Sequence, residues 1–111
     1  MLSVEKLREY GADVDTGLSR CANNETLYLR LVGITVQELS SGALGDALKS
    51  VDLDKAFEIA HKLKGGLSNL ALTPVAAPLG ELTELLRRKA PGDYEALYAE
   101  MMRKTDELAA L

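Results

Sequence analysis

Apolar residues recur along most of this chain at steps of three and four, which is the period of an amphipathic helix. The pattern is clearest between about residues 52 and 70. The apolar positions of that segment are Leu53, Ala56, Phe57, Ala60, Leu63, Leu67 and Leu70. A second stripe, over residues 25–39, consists of Leu27, Leu29, Leu31, Val32, Val36 and Leu39. Similar stripes over residues 73–89 and 93–110 predict four substantial helices in all.

Helix-capping residues and short connections support the same division. The candidate caps are Asn23 or Asn24, Asp52 or Asp54, Thr73 followed by Pro74, and Asp93. Ala90-Pro91-Gly92 predicts a turn. We therefore expect an all-α fold, an antiparallel up-down four-helix bundle with its core at about residues 24–110.

Shorter segments surround the bundle. Residues 2–10, 15–21 and 43–49 each predict a short helix, and the N-terminal pieces should lie across one end or side. Pro78 falls inside the 73–89 helix and predicts a bent or loosened first turn there, but not a break. No repeat or interdomain linker is visible, so residues 1–111 are expected to form one domain.

Composition narrows the possible functions. The hydrophobic share is 47%, with no Trp, which favours an all-α globular domain. The net charge of −4 argues against nucleic acid as the main partner. No apolar stretch approaches the ~18 residues of a membrane span, and the N-terminus does not resemble a signal peptide, so a cytoplasmic protein is expected. Cys21 cannot form an internal disulfide, since it is the sole cysteine, and it is expected to pack.

His61 is the only histidine and lies in the middle of the 52–70 segment. At ~100° per residue it falls ~120° from the centre of the apolar stripe, at the boundary or exposed. Lys64, Gly65 and Ser68 follow at three, four and seven residues, which places them on the same strip. That strip presents an imidazole, an ammonium group, bare backbone and a hydroxyl together.

These groups suit phosphoryl chemistry. A neutral imidazole, with an ordinary pKa near 6.5, is a nucleophile that can hold a phosphoryl group as a phosphoramidate. Lys64 could offset the charge of that group, and Gly65 leaves room for a partner's backbone. Two alternatives stay open. A lone histidine on a helix is usually only a polar surface residue, and the glycines, which cost ~1 kcal/mol each relative to alanine, could serve tight packing against a neighbouring helix.

The run Ala60-His61-Lys62-Leu63-Lys64-Gly65, continued by Ser68-Asn69-Leu70, resembles the histidine-containing phosphotransfer (HPt) domain family, whose pattern is His-x-Leu-Lys-Gly. The resemblance implies a four-helix bundle with an exposed histidine that exchanges a phosphoryl group with aspartates of response-regulator receiver domains. His61 would be the phosphoacceptor, Lys64 its charge-stabilising neighbour and Gly65 the docking gap.

The resemblance also implies a set of partners. They are receiver domains and a hybrid sensor histidine kinase. The protein would be a phosphoryl carrier and not an enzyme, would be a monomer, and would need no cofactor of its own because the receiver binds Mg²⁺.

The sequence departs from the family pattern at several positions. Leu67 and Ala71 stand where the family has a small residue and a glycine. The family often places Glu or Gln on the next helix to hydrogen-bond the imidazole. The matching position here is Thr83, and Glu81 and Glu84 are nearby. Arg87, one turn further, could face the phosphoryl group or the partner, or could simply be a charge at a helix end.

A second hypothesis is a helical adaptor that has the HPt fold and binds signalling partners without phosphotransfer. An exposed apolar strip of Leu67, Leu70 and Leu72 would motivate it. In the relay interpretation too, a partner helix would pack beside Leu67 and Leu70. An enzyme with its own substrate is least favoured, because no acid–base pair can be placed.

Overall fold

The structure is a computed structural model that describes residues 2–111. Within that range it contains seven helices and no strand, so the all-α prediction is confirmed. The helices are α1 (Val4–Tyr10), α2 (Val14–Arg20), α3 (Glu25–Leu39), α4 (Ala43–Lys49), α5 (Leu53–Asn69), α6 (Thr73–Arg88) and α7 (Tyr94–Ala109).

The four long helices form the predicted antiparallel bundle. Helix α5 packs along α6, α6 packs along α7, and α3 contacts both α5 and α7, which closes the ring. The links at residues 70–72 and 89–93 are short, so each joins antiparallel neighbours. Helix α4 packs against α5 and touches α7.

Side-chain caps fix most of the helix starts. Asn24, Asp52 and Asp93 each accept a hydrogen bond from the backbone N–H three residues on, as predicted. The prediction of Thr73 as a cap is wrong. Helix α6 begins at Thr73 itself, with Leu72 at the cap position and no side-chain cap, because the Thr73 hydroxyl donates to the carbonyl of Ala71. Helix α6 continues through Pro78 without a break.

The core face of α3 differs from the predicted stripe. Its buried residues are Tyr28, Val32, Thr35 and Leu39, while Leu27 is 37% exposed. The Tyr28 hydroxyl donates to the carbonyl of Leu70 at 3.0 Å. A tyrosine that is fully buried needs such a partner, and here the partner comes from a distant turn that local periodicity cannot reveal.

Helices α1 and α2 lie across the end of the bundle that carries the α5–α6 turn. The backbone N–H of Asp13 donates to the carbonyl of Ala71 at 3.0 Å, and Tyr10 donates to the carbonyl of Lys104 at 2.8 Å. Gly17 sits so close to this turn that a Cβ would lie 2.6 Å from the carbonyl oxygen of Leu70. The predicted placement of the N-terminal segment is confirmed.

This covering corrects the prediction of an exposed apolar strip. Leu67, Leu70 and Leu72 are all buried, with at most 3% of each residue exposed. The same N-terminal end buries Cys21, which is a free thiol and packs as expected. The apolar residues after His61 therefore belong to the core and cannot form a docking strip.

Val51 is a point of backbone strain at the end of α4. Its φ is +55°, a left-handed value that is unfavourable for a β-branched residue, and the residue is 75% exposed. We expect Val51→Gly to raise the free energy of unfolding by about 1 kcal/mol, because glycine adopts this conformation freely and little buried surface is lost. Urea denaturation measures the change. Val51→Ala, which keeps a Cβ, should gain less, and a glycine variant no more stable than the parent would contradict the account.

Candidate functional site

His61 lies near the middle of α5, a helix of 17 residues, and its side chain is exposed. The opposite side of α5 carries the buried residues Ala56, Ala60, Leu63 and Leu67. The predicted exposure of His61 is therefore confirmed. The helical period alone explains it, because a face that buries these residues must turn the intervening position outward.

The neighbours predicted for His61 share its face of the helix. Gly65 and Ser68 are exposed, and Lys64 is half-buried. The Lys64 ammonium forms no ion pair with any residue from 2 to 111, so its charge is not neutralised within that range. The surface next to the imidazole therefore carries a positive charge that an incoming anion could neutralise.

The two glycines after Lys64 face open space. A Cβ built on Gly65 or on Gly66 would meet no atom within 4 Å beyond its own helix. The alternative that these glycines serve tight packing against a neighbouring helix is thus excluded for the described residues. They leave a low, bare stretch of backbone one turn from His61.

None of the residues proposed to orient the imidazole does so. Neither ring nitrogen of His61 hydrogen-bonds to a residue between 2 and 111. Thr83 is fully buried, and its hydroxyl donates to the carbonyl of Leu79 at 2.7 Å. Glu84 pairs instead with Arg87, at 3.3 Å, and with Arg88, at 4.0 Å. Glu81 is exposed and makes no such contact.

Phe57 takes the place next to the imidazole. Its ring stacks on His61 with 5.6 Å between ring centroids and 21° between ring planes. The guanidinium carbon of Arg87 lies 5.3 Å from the centroid of the Phe57 ring. The apolar pattern predicts Phe57 as a core residue, whereas the structure shows that it is half-buried. Its position four residues before His61, on the same helix face, was the available signal.

The carboxylates of α5 lie before His61, where Asp54 and Glu58 are exposed. No Asp or Glu occurs from residue 59 to residue 80, although the whole chain carries a net charge of −4.

Among the described residues no group of three or more His, Cys, Asp or Glu could hold a metal ion. In the same range, no helix is long and apolar enough to cross a membrane.

The structure thus combines a helical bundle, a solvent-exposed histidine in mid-helix, a lysine one turn on without an ion pair among residues 2–111, and bare backbone beside it. The comparisons identify the class of protein. The family model described as Hpt domain matches residues 33–111, which is more than half of the chain. The chain therefore belongs to the Hpt domain family. Comparisons with curated proteins and with solved structures give no significant match.

Membership in this family defines the general role. Hpt domains serve histidine phosphotransfer in two-component signalling, as phosphocarrier modules without catalytic domains. Their partners are response regulators and kinases. Helices α1 and α2 and the first part of α3 precede the matched region, so Arg20 lies outside it.

The stacking of Phe57 on His61 can be tested by proton NMR of Phe57 variants. Phe57→Leu keeps apolar volume but removes the ring, so the His61 ring protons should lose their ring-current shift and move towards random-coil values in a proton NMR spectrum. We expect a loss of about 1 kcal/mol in the free energy of unfolding from the missing ring contacts. Phe57→Tyr keeps the stack and should leave the His61 signals in place. Unchanged His61 signals in the leucine variant would show that the rings do not stack in solution.

Proposed function

We propose that His61 carries the phosphoryl group, accepting it from the aspartyl phosphate of one receiver domain and passing it to the aspartate of another. The observation that supports this most is the exposed imidazole in the middle of α5, beside the unpaired Lys64. His61 is the only histidine of the chain, so a phosphohistidine can form nowhere else in it.

The transfer step needs only the His61 imidazole and the aspartyl phosphate of the receiver as reactants. The unprotonated nitrogen of the neutral imidazole attacks phosphorus, and the bond between phosphorus and the aspartate oxygen breaks. The products are a phosphorus–nitrogen bond on His61 and a free carboxylate on the receiver, and the second ring nitrogen then releases its proton to solvent. Passing the group onward is the reverse of this step. The receiver is expected to supply the Mg²⁺ that screens the phosphoryl oxygens.

The neighbours of His61 have distinct parts in this scheme. Lys64 offsets the charge of the phosphoryl group from one turn away. Gly65 and Gly66 let the receiver's backbone approach the imidazole, because no side chain stands above α5 there. Ser68 extends the same exposed strip towards the end of α5. Phe57 limits the orientations of the imidazole by stacking on it, in place of a hydrogen bond, and Arg87 contacts the Phe57 ring.

No observation favours the adaptor hypothesis over the relay. Its motivation was an apolar strip at Leu67, Leu70 and Leu72, and all three residues are buried. What the surface beside His61 offers to a partner is charge and bare backbone. Such a surface suits brief contact with an acidic protein better than a permanent apolar interface.

Transfer from a phosphorylated receiver domain tests the proposal. The wild-type protein should gain a phosphate that is acid-labile and stable in base, and His61→Gln should gain none, because glutamine has the size and polarity of histidine but no nucleophilic nitrogen. The measurement is radiolabel transfer from a receiver charged with labelled phosphate, run over a panel of receivers. The two proteins should have the same helical circular dichroism.

Three results would contradict the proposal. Label retained by His61→Gln would place the phosphate elsewhere, and an acid-stable label would mean a different chemistry. Receiver binding by the wild type with no transfer to it, unchanged by the substitution, would establish the adaptor hypothesis instead.

Gly65 tests the docking gap separately from the chemistry. Gly65→Ala should raise the free energy of unfolding by about 1 kcal/mol, since the new methyl group meets nothing within the protein. The same methyl group should slow transfer from a receiver because it stands beside the imidazole. Gly33→Ala is the matched control, an exposed mid-helix glycine on α3 with equally open surroundings. It should give the same gain in stability with no change in transfer. Equal transfer rates in both variants would remove the docking role of Gly65.

A further inference from the structure

Arg20, the last residue of α2, joins the N-terminal helices to the helix that carries His61. Its Nη1 donates to the carbonyl oxygen of Ser68 on α5, and the residue is exposed. Asp15 of α2 pairs with Arg8 at 2.8 Å. Asp13, the N-cap residue of α2, accepts hydrogen bonds from Thr16 and forms no ion pair among residues 2–111. Arg20 itself has no ion pair with a residue between 2 and 111, so its charge is held in place but not neutralised.

The contact places Arg20 within reach of a protein docked on His61. Ser68 lies seven residues beyond His61, which is ~20° around the helix and ~10 Å along it. A transient interface at the low end of the usual size range covers ~600 Å² of each partner, a patch of about 14 Å radius. A receiver centred on His61 would therefore cover Ser68 and extend to the guanidinium group that is bound to it.

A groove extends the exposed strip of α5 beyond Ser68, towards α2. It has a volume of about 310 Å³, and it lies between α2 and the end of α5 with the start of α6. Asp13, Thr16 and Arg20 line one side, and Ser68 and Ala71 line the other. Through Ser68 the groove is continuous with the exposed strip of His61, Lys64 and Gly65, so one partner can occupy both.

The charge distribution identifies what that partner must present. The strip carries Lys64 and leads to Arg20, and no carboxylate lies in the sequence from residue 59 to residue 80. Two carboxylates border the same surface, because Glu58 precedes His61 by one turn and Asp13 lines the groove. Lys64 and Arg20 nevertheless form no ion pair among residues 2–111. The complement of these two cations is a pair of carboxylates, which the acidic phosphoacceptor face expected of a receiver would supply.

We infer that Arg20 extends the receiver-docking surface of His61 onto α2 and binds a carboxylate of the receiver domain. This inference rests on the proposed function. It adds a contact from a helix that precedes the region matched by the Hpt family model, so it belongs to this chain's own N-terminal helices. Arg20 acts on docking and has no part in the chemistry at the imidazole.

The test is the affinity of the full chain for a receiver that transfers phosphate to it, measured with Arg20→Gln, Arg20→Lys and Arg30→Gln. Glutamine keeps a polar amide but has no charge, so Arg20→Gln should weaken binding by about threefold to tenfold. It should also make binding less sensitive to salt. Arg20→Lys should bind nearly as well as the wild type. Arg30 is an exposed arginine on the side of α3 away from the core, and its variant controls for the loss of one charge.

The outcomes separate this inference from the proposed function. Wild-type affinity in Arg20→Gln, or equal weakening in the Gln and Lys variants, would overturn the role of Arg20 and leave the relay intact. Weakening by Arg30→Gln as large as that by Arg20→Gln would overturn it too, because the effect would then be general charge. Failure of every receiver to transfer phosphate to the wild type would overturn both. Amide NMR signals of residues 16–20 should shift when the receiver is added, and unshifted signals would also count against docking on α2.

Discussion

The burial of one face of α5 is the constraint on which the rest of this molecule depends. Ala56 and Ala60 are fully buried, and their small side chains allow close approach of the neighbouring helices. Leu67 is also fully buried, which stabilises the fold by ~1.5–3 kcal/mol relative to exposure. Turning α5 by one residue would bring Leu67 to the surface and carry Lys64 and His61 towards the core. Core packing thereby determines which strip of α5 faces a partner.

The features that could be predicted are those encoded locally. Apolar periodicity located the four long helices, and the side-chain caps at Asn24, Asp52 and Asp93 fixed three of their starts. The exposure of His61 followed from its angle to the apolar stripe. Helix ends and faces are set by residues within one or two turns, so the sequence contains what is needed to place them.

The features that could not be predicted depend on distant residues. Leu70 and Leu72 look like exposed apolar residues at a helix end, but α1 and α2 cover them. Thr83 matches the family's imidazole-binding position by spacing. Its hydroxyl instead donates a hydrogen bond to the carbonyl of Leu79, one turn earlier in the same helix, as buried threonines often do. The contact of Arg87 with Phe57 joins two helices, and its geometry is set by packing that no local pattern records.

The glycines of the chain separate structural from functional demands. Gly17 and Gly45 are buried, and a Cβ on either would lie within 2.6 Å of a tyrosine side chain, so packing accounts for them. Gly65 and Gly66 lie in a helix interior with open space around them, where alanine would be more stable by ~1 kcal/mol each. Fold stability therefore gives no reason for this pair, whereas the docking of a receiver proposed for this strip would give one.

The N-terminal helices influence what kind of contact is possible at the site. They cover Leu70 and Leu72 at the end of the bundle, and they bring Arg20 to the carbonyl of Ser68 on the strip that carries His61. What remains accessible around the imidazole is polar and glycine-rich, with Lys64 on one side and Glu58 on the other. The positive charge of Lys64 and Arg20 speeds the encounter with an acidic partner more than it prolongs the complex. The carrier role proposed for His61 requires that balance, because such a carrier meets one partner, releases it and then meets another, and the balance is reached here by burying the leucines instead of replacing them.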